Sequence, residues 1–198
     1  MEIEFSDGKI SFKRVLSGLD EFVIDFCKIL SEEKIKYAIV SGYIPIVFGR
    51  SRHTEDVDII TEKISKGKFE LLWARLDKYT CINASDSMDA YSCLCDRIAL
   101  RFTEGERFIP NVEFKFSPDD AGEYTLLNRI ELSVNQNTLF ISPLEMQVAY
   151  KLFFGSEKDI EDARFLFKLF RQHLNREKIL DLAKKFNLKP SRSLKYIE

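Results

Sequence analysis

Two carboxylates separated by a single residue have the clearest chemical consequence in this sequence. Asp56 and Asp58 flank Val57 in the run DVDII. Side chains alternate between the faces of a β-strand, so both carboxylates are expected on the same side of a sheet. Neighbouring like charges repel each other and are costly to desolvate, and a bound cation is the usual remedy. The pair therefore predicts a Mg²⁺ site, because this ion prefers carboxylate oxygens and accepts phosphate as a co-ligand.

The alternative for an Asp-x-Asp pair at the edge of a strand is plain solvated surface. A turn upstream favours the metal site: the strand predicted over residues 36–40 ends in Ser41-Gly42. A glycine there lets the backbone approach a phosphate closely, and a short helix predicted over residues 43–48 would present unpaired N–H groups. The Ser41 hydroxyl would add a further hydrogen-bonding group.

A third acid commonly helps to hold the metal ions of a phosphoryl-transfer site. Two such ions about 3.5–4 Å apart can stabilise the attacking and the leaving oxygen. Glu113 is the candidate, on the polar face of the strand predicted over residues 111–116, where Glu113 and Lys115 alternate with apolar side chains. Alternatively, Glu113 lies on the exposed face of a half-buried strand and pairs with Lys115.

Several cations and acids elsewhere have both a functional and a structural interpretation. Arg50 and Arg52 could clamp a phosphate or be ordinary loop charges. Lys151, on a largely apolar helix, either points at the site to neutralise a triphosphate or lays its stem on apolar surface. Asp159 and Asp162 share one helix face, where Asp159 is suited to the first helical turn.

The elements that must position these residues follow from hydrophobic periodicity. Together they predict an α/β fold of the α+β kind, with a mixed β-sheet flanked by helices and a helical C-terminal part. The core would span residues 1–141, and the helical part, packed on that core, residues 142–198, with a tail over 188–198. Helices are predicted over residues 11–33, 65–79, 142–154, 156–174 and 176–186, and strands over 36–40, 56–61, 97–102, 111–116, 130–134 and 138–141.

Two helix starts in the C-terminal part have sequence signatures. The run Ser142-Pro143-Leu144-Glu145 predicts a capping box with proline at the first helical position. Ser156, directly after Gly155, reads as a second start of the same kind.

Composition excludes several classes of protein. The 198 residues are 45% hydrophobic and 31% charged, which is typical of a globular protein. The net charge of −2 gives no overall positive field of the kind that favours nucleic-acid binding. No apolar run approaches the roughly 18 residues of a membrane span, and the N-terminus does not resemble a signal peptide. A cytoplasmic location without membrane association is expected, with the four cysteines as free thiols.

The run VSGY…FGRSRHTEDVDI resembles the signature of the nucleotidyltransferase superfamily of the DNA polymerase β type. There, a strand, a Gly-Gly or Gly-Ser turn and a strand with Asp-x-Asp form the NTP and metal site. More narrowly, the sequence is similar to the minimal nucleotidyltransferases grouped with AbiEii-type toxins. Their Gly-x-x-Arg-x-Thr-x-Asp-x-Asp run corresponds here to Gly49, Arg52, Thr54, Asp56 and Asp58.

The C-terminal part adds to this resemblance. The run ISPLEMQVAYKLFFGSEKDIEDARFL is similar to that group's helix-entry proline, helical lysine and Lys-Asp-x-x-Asp, which are here Pro143, Lys151, Lys158, Asp159 and Asp162. The similarity covers about residues 37–62 and 141–166. The chain departs from the pattern in its Ser41-Gly42 turn, because serine adopts positive φ less readily than glycine.

The resemblance implies a Mg²⁺-dependent transfer of a nucleoside monophosphate from an NTP to an acceptor, with one or two metal ions. Metal ligands would be Asp56 and Asp58, with Glu113 as a possible third ligand or base. Lys151 and Asp159 would complete the catalytic set, and the nucleotide would contact Ser41, Gly42, Arg50, Arg52, Thr54 and Lys151. The acceptor stays open between RNA such as tRNA, protein and a small molecule, and a toxin of this group would have an antitoxin partner.

A catalytically inactive module with the same fold is the alternative function. Such a protein would bind nucleotide or a partner protein without turnover. The Ser41-Gly42 turn is the feature that favours this alternative, because it alters the place where the family pattern has glycine.

Overall fold

A computed structural model describes residues 2–6, 8–105 and 107–188, and over these ranges nine strands form one mixed sheet. The strands are β1 (Ile3–Ser6), β2 (Lys9–Phe12), β3 (Tyr37–Ile39), β4 (Asp56–Thr61), β5 (Tyr79–Cys81), β6 (Leu100–Glu104), β7 (Asn111–Phe116), β8 (Ile130–Val134) and β9 (Asn137–Ile141). Their order in the sheet is β1-β2-β8-β9-β3-β4-β7-β6-β5.

Helices connect the strands and end the described chain. They are α1 (Gly18–Glu32), α2 (Tyr43–Val47), α3 (Lys66–Arg75), α4 (Ser87–Cys95), α5 (Asp120–Leu127), α6 (Leu144–Phe154), α7 (Glu157–Leu169) and α8 (Arg176–Lys185). The predicted fold class, a mixed sheet with flanking helices and a helical C-terminal part, is confirmed. The domain boundary at residue 142 stays a prediction, and the predicted tail lies, except for Leu188, outside the described residues.

The strand β4 lies in the middle of the sheet, antiparallel to β3 and parallel to β7. Its Val57 and Ile59 are fully buried on the face where Phe114 of β7 packs against Phe26 of α1. On the opposite face, Ile60 packs with Leu126 of α5. Because a register shift of one residue would bury the carboxylates of β4, burial of the apolar face fixes where those carboxylates point.

The first predicted helix begins later than expected. Residues 9–12 form β2, parallel to β8. Ile10 and Phe12 are buried and Lys9 and Ser11 are not, which is the period of two expected for a strand. The helix α1 starts after Ser17, which caps it in a capping box with Asp20. The prediction of a helix over residues 11–33 was therefore wrong for its first seven residues.

Other boundaries also differ from the predictions. The helix predicted over residues 65–79 ends at Arg75, and Tyr79 begins β5. The strand predicted over 97–102 runs instead from Leu100 to Glu104. The helices α4 and α5 were not predicted, although Asp86 and Asp119 cap them and are typical helix starts.

One of the two predicted caps in the C-terminal part is wrong. Pro143 itself occupies the N-cap position of α6, and the Ser142 hydroxyl donates to the Pro143 carbonyl rather than capping the helix. The second start is confirmed, since the Ser156 hydroxyl accepts the Asp159 N–H and Gly155 ends α6 with φ +64°. None of the helices in the described ranges is long and apolar enough to cross a membrane.

Candidate active site

The three predicted acids lie on two adjacent strands. Asp56 and Asp58 are half-buried on β4, with the buried Val57 between them pointing to the other face. Glu113 is the register partner of Asp58 on the parallel strand β7. Adjacent strands are about 4.8 Å apart, so this register places Glu113 beside Asp58 on the polar face. Sequence alternation predicted the shared face, and the pairing of β4 with β7 supplies the neighbour.

Two of these acids have cationic partners from the same sheet. The Lys115 Nζ lies 2.9 Å from Asp58 Oδ1, and Arg101 donates from Nε and Nη2 to Glu113 Oε1 at 3.0 and 2.8 Å. The alternative pairing of Glu113 with Lys115 is therefore not what the structure shows. Arg101 on β6 is the register partner of Glu113, so its guanidinium is close enough to pair with that carboxylate.

Thr54 orients the first acid of the pair. Its hydroxyl donates to the Asp56 backbone carbonyl at 2.9 Å and lies 3.3 Å from Asp56 Oδ1. These contacts hold the entry of the chain into β4, so Thr54 lies beside the Asp56 carboxylate. Its contact with a nucleotide remains a prediction.

The turn after β3 adopts a conformation that serine seldom takes. Ser41 has φ +63°, in the left-handed region. The Gln147 side chain supports it, accepting the Ser41 N–H at 3.2 Å and donating to the Ser41 carbonyl at 2.6 Å. Gln147 is buried on α6 and was missed from the sequence, where a polar residue in an apolar helix was its only signal.

Gly42 needs to be glycine for space rather than for backbone freedom. Its φ of −71° is open to any residue. A Cβ at this position would lie 2.9 Å from Arg52 Nη2 and 3.3 Å from Thr54 Oγ1. The turn is thus packed directly against the loop that leads into β4.

A buried cluster of charges joins that loop to the C-terminal helices. Asp162, fully buried on α7, accepts hydrogen bonds from Arg50 and Arg52 and forms an ion pair with Lys151 Nζ at 2.8 Å. Lys151 also donates to Asp159 Oδ1 at 2.8 Å. The structure therefore brings together five residues that the sequence singled out, and it places Asp162 rather than Asp159 at their centre.

Burial shifts the pKa values within this cluster. It lowers the pKa of Lys151 and of Arg52 below their ordinary values, although carboxylates nearby oppose the shift. Burial also raises the pKa of Asp159, but hydrogen bonds from Lys151 and Ser156 outweigh it and hold that pKa below its usual range. Burial therefore disfavours the charged forms of Lys151 and Arg52, whereas the hydrogen bonds to Asp159 favour its charged form.

A cavity of about 310 Å³ lies between the polar face of the sheet and α6. Ser41, Asp58 and Lys151, all predicted site residues, line it together. Lys115 and Gln147 line it as well, and Tyr150 and Phe154 of α6 add an aromatic wall. Arg52 and Thr54 instead line a second groove of about 750 Å³, together with residues of α1 and of the 103–110 segment.

The acids fit a magnesium ion that shares its ligands with a phosphate. In the residues that the structure describes, no three His, Cys, Asp or Glu side chains form a group that could hold a metal ion on its own. Mg²⁺ does not require such a cage, because it is usually bound through one or two carboxylates, water and substrate phosphates. Asp56 and Asp58, on one face of β4 with Asp58 lining the cavity, are a donor set of that kind.

Comparison with solved structures identifies the fold. An antigenic nucleotidyltransferase-like protein from Paracoccidioides brasiliensis is 17% identical, with 89% of this chain and 90% of that chain covered and a TM-score of 0.56. The antibiotic-resistance factor ANT(2″)-Ia in complex with adenylyl-2″-tobramycin is 12% identical, with 86% and 98% covered and a TM-score of 0.54. A solution structure of the same factor matches at 13% identity and a TM-score of 0.54, covering 86% and 93%.

No protein-family model matches the chain, and no curated protein matches it by sequence. The structural similarity therefore rests on the arrangement of strands and helices. It confirms the fold expected from the resemblance to nucleotidyltransferases, while the narrower AbiEii-type grouping stays a prediction.

Proposed function

We propose that this chain, which has the nucleotidyltransferase fold, transfers a nucleoside monophosphate from an NTP to an acceptor. One observation carries the proposal: Asp56 and Asp58 share the polar face of β4, Glu113 lies in register beside Asp58, and Asp58 lines a cavity. A pair of carboxylates, one of which lines a cavity together with two lysines, is suited to a metal–phosphate complex. The two structural neighbours are nucleotidyltransferase-like by fold, which supports the same reaction class.

Mg²⁺ would be held by Asp56 and Asp58, with Glu113 as the candidate third ligand. When bound, it would neutralise charge that develops on the transferred phosphoryl group. The rest of the task falls to protein groups that position the reactants. Thr54 holds Asp56 in place through its hydroxyl, and Arg101 restrains Glu113 at the edge of the site.

The triphosphate is proposed to lie along the Ser41-Gly42 turn. Because the Ser41 N–H already donates to Gln147, the serine hydroxyl is the group of this residue that would meet a phosphate. Lys151 reaches the same cavity from α6, and its positive charge would favour the phosphates although Asp159 and Asp162 partly balance it. Arg50 and Arg52 act in this proposal mainly by holding α7 against the loop before β4.

The acceptor remains open between three classes: RNA such as tRNA, a protein, and a small molecule. One structural neighbour was solved with adenylyl-2″-tobramycin, which keeps small-molecule hydroxyl acceptors among the candidates. A toxin role with an antitoxin partner rests on the sequence resemblance alone, and a cytoplasmic location stays the expectation drawn from the absence of a membrane-spanning run and of a signal peptide in the sequence. Growth arrest on expression, absent for Asp58→Ala, would support the toxin role, and healthy growth of cells that express the wild type would count against it.

The direct test uses α-labelled NTPs, Mg²⁺ and separate pools of total RNA, protein lysate and small metabolites. The expected result is transfer of label to one pool, reduced about a hundredfold or more in Asp58→Asn because metal contacts supply several kcal/mol in such reactions. Asp181→Asn, at an exposed site on α8, is the matched control and should retain transfer. Calorimetry with Mg²⁺ and NTP gives a readout that needs no acceptor. The proposal is wrong if no label is transferred and if calorimetry shows no binding of Mg²⁺ and NTP that depends on Asp58.

A binding module without turnover is the second candidate. Two observations favour it: Asp58 and Glu113 are already ion-paired, and the Ser41 N–H is engaged by Gln147. Such a module would bind NTP with an affinity that depends on Asp58, yet would transfer no label to any pool.

A further inference from the structure

Lys115 has a position that the proposed reaction does not by itself explain. Its ammonium forms an ion pair with Asp58, one of the two proposed metal ligands, and the same side chain lines the cavity. We propose that the Lys115 ammonium is a tethered counter-ion of Asp58. A divalent metal that binds Asp58 displaces this ammonium, which then pairs with an anion in the cavity. This inference rests on the proposed function, and it concerns how the carboxylates are stabilised before a metal binds and how metal and nucleotide binding are linked.

The strand register explains why the lysine pairs with Asp58. Glu113 and Lys115 are two residues apart on β7 and share a face, with Glu113 directly beside Asp58. Arg101 on the next strand holds Glu113 through two N–H groups. Because that carboxylate is already paired, the lysine extends diagonally to Asp58. Each of the two neighbouring acids thus has its own cation, which offsets the repulsion between them.

Burial distinguishes Lys115 from the other lysine of the cavity. The Lys151 side chain is only 5% exposed and is held by both Asp159 and Asp162. The Lys115 side chain is 31% exposed, and within the described residues its carboxylate partner is Asp58 alone. A partly solvated pair of this kind is weak and can exchange. Lys115 is therefore the cavity lysine that can leave its carboxylate, whereas Lys151 is fixed.

Displacement couples the two ligands of the site. A cation bound at Asp58 removes the attraction that holds the Lys115 ammonium and repels it. The freed side chain remains attached to β7 beside the cavity, where a phosphate would find an additional positive charge. Metal binding should therefore strengthen nucleotide binding, and part of that coupling should depend on Lys115.

The first measurement is Mn²⁺ binding without nucleotide, followed by the electron paramagnetic resonance signal of the free ion. Lys115→Met should bind Mn²⁺ up to about fivefold more tightly than wild type, because Asp58 loses its competing cation. Lys115→Gln is a second neutral variant and should behave alike, whereas Lys115→Arg should keep the weaker affinity. Lys9→Met is the matched control, since Lys9 also pairs with a carboxylate, Glu131, but lies on β2. It should bind Mn²⁺ as wild type does.

The second measurement is the affinity for a non-hydrolysable NTP analogue at saturating Mn²⁺. We expect Lys115→Met to bind the analogue several-fold more weakly than wild type, although it binds the metal more tightly. A higher affinity for Mn²⁺ together with a lower affinity for the analogue is the result expected if the lysine pairs with Asp58 before metal binds and with phosphate afterwards.

The outcomes separate this inference from the proposed function. If Asp58→Asn loses Mn²⁺ while neither neutral variant of Lys115 binds it more tightly than wild type, the counter-ion role is overturned and the metal site stands. If Lys115→Met weakens only the nucleotide, Lys115 is a simple phosphate ligand and the inference is again wrong. If Asp58→Asn binds Mn²⁺ as well as wild type does, Asp58 is not a metal ligand and both proposals fall.

Discussion

The side-chain amide of Gln147 hydrogen bonds to both backbone groups of Ser41, as a partner strand would. Its oxygen accepts the Ser41 N–H, and its nitrogen donates to the Ser41 carbonyl. These bonds tie α6 to the turn after β3, and Lys151 follows Gln147 by one helical turn on the same side of the helix. The position of the turn and the position of the lysine are therefore fixed by one element.

Replacing Ser41 by glycine should stabilise the protein. A non-glycine residue in the left-handed region costs about 1–2 kcal/mol, part of which is offset by the extra freedom of glycine in the unfolded chain. We expect Ser41→Gly to raise the free energy of unfolding in urea by roughly 1 kcal/mol. Ser133→Gly, inside strand β8, is the control and should lower it by about 0.5–1 kcal/mol. Equal destabilisation by both changes would contradict the strain at Ser41.

Gln147→Met keeps the volume of the side chain but removes its polar atoms. The Ser41 N–H and carbonyl would lose their partners, and an unsatisfied buried group costs about 1–3 kcal/mol. The free energy of unfolding should fall by that amount, and the affinity for Mg²⁺-NTP in calorimetry should fall with it. Gln136→Met, at the exposed turn between β8 and β9, should stay within about 0.5 kcal/mol of wild type. A similar result for both glutamines would show that the turn does not need this support.

Gly42→Ala tests the close packing of the turn against Arg52. The new Cβ would lie 2.9 Å from a guanidinium nitrogen that Asp162 helps to hold, so the arginine must shift. We expect weaker binding of Mg²⁺-NTP and a loss of roughly 1–3 kcal/mol of stability, as in other overpacked sites. Gly67→Ala is the control, because nothing lies within 4 Å of its added Cβ and alanine favours the helix α3. That variant should be slightly stabilised and should bind normally.

Asp162→Asn removes the negative charge at the centre of the buried cluster. Arg50, Arg52 and Lys151 would then face one another without this carboxylate, and breaking a buried ion pair typically costs about 3–5 kcal/mol. Glu161→Gln, one residue away, changes an exposed partner of Arg50 and should cost at most about 1 kcal/mol. Chemical denaturation of the two variants gives the comparison. If Asp162→Asn is as mild as its neighbour, the cluster does not fasten α7 to the loop.

The strands of the site were predictable because their patterns are simple. Asp56 and Asp58 alternate with buried residues, and the 111–116 segment alternates throughout, so period two fixes which face each residue takes. The choice between β4 and other strands as the neighbour of Glu113 depends on sheet topology, which local periodicity does not determine. The sequence therefore predicted the acids but not that Arg101 and Lys115 neutralise two of them.

The buried cluster shows a different limit of the sequence. Asp159 and Asp162 lie three residues apart on one helix face. The resemblance favoured Asp159 as the site residue, although its place in the first helical turn also suited a capping role. In the structure Asp162 is fully buried, because α7 turns that side toward α6 and the 50–54 loop. The orientation of one helix against another follows from tertiary packing of many residues rather than from the pattern of one helix.

Acid titration should reveal the ion pair between Lys151 and Asp159. The pKa of Asp159 in the folded protein lies below its usual value, held there against burial by hydrogen bonds from Lys151 and Ser156. The unfolded chain has the ordinary value of about 3.9, so this group stabilises the fold fully above that pH. Its contribution is lost as the pH falls through the lower, folded pKa.

The measurement is the free energy of unfolding in urea for wild type and Asp159→Asn between pH 7 and pH 3. The difference between them should be constant down to about pH 5 and should shrink below about pH 4, as the unfolded chain binds the proton first. In a Lys151→Met background the same substitution should give a smaller difference with less pH dependence, because the leading hydrogen bond is gone. A difference that stays constant to pH 3 in both backgrounds would falsify the ion pair as a source of acid sensitivity.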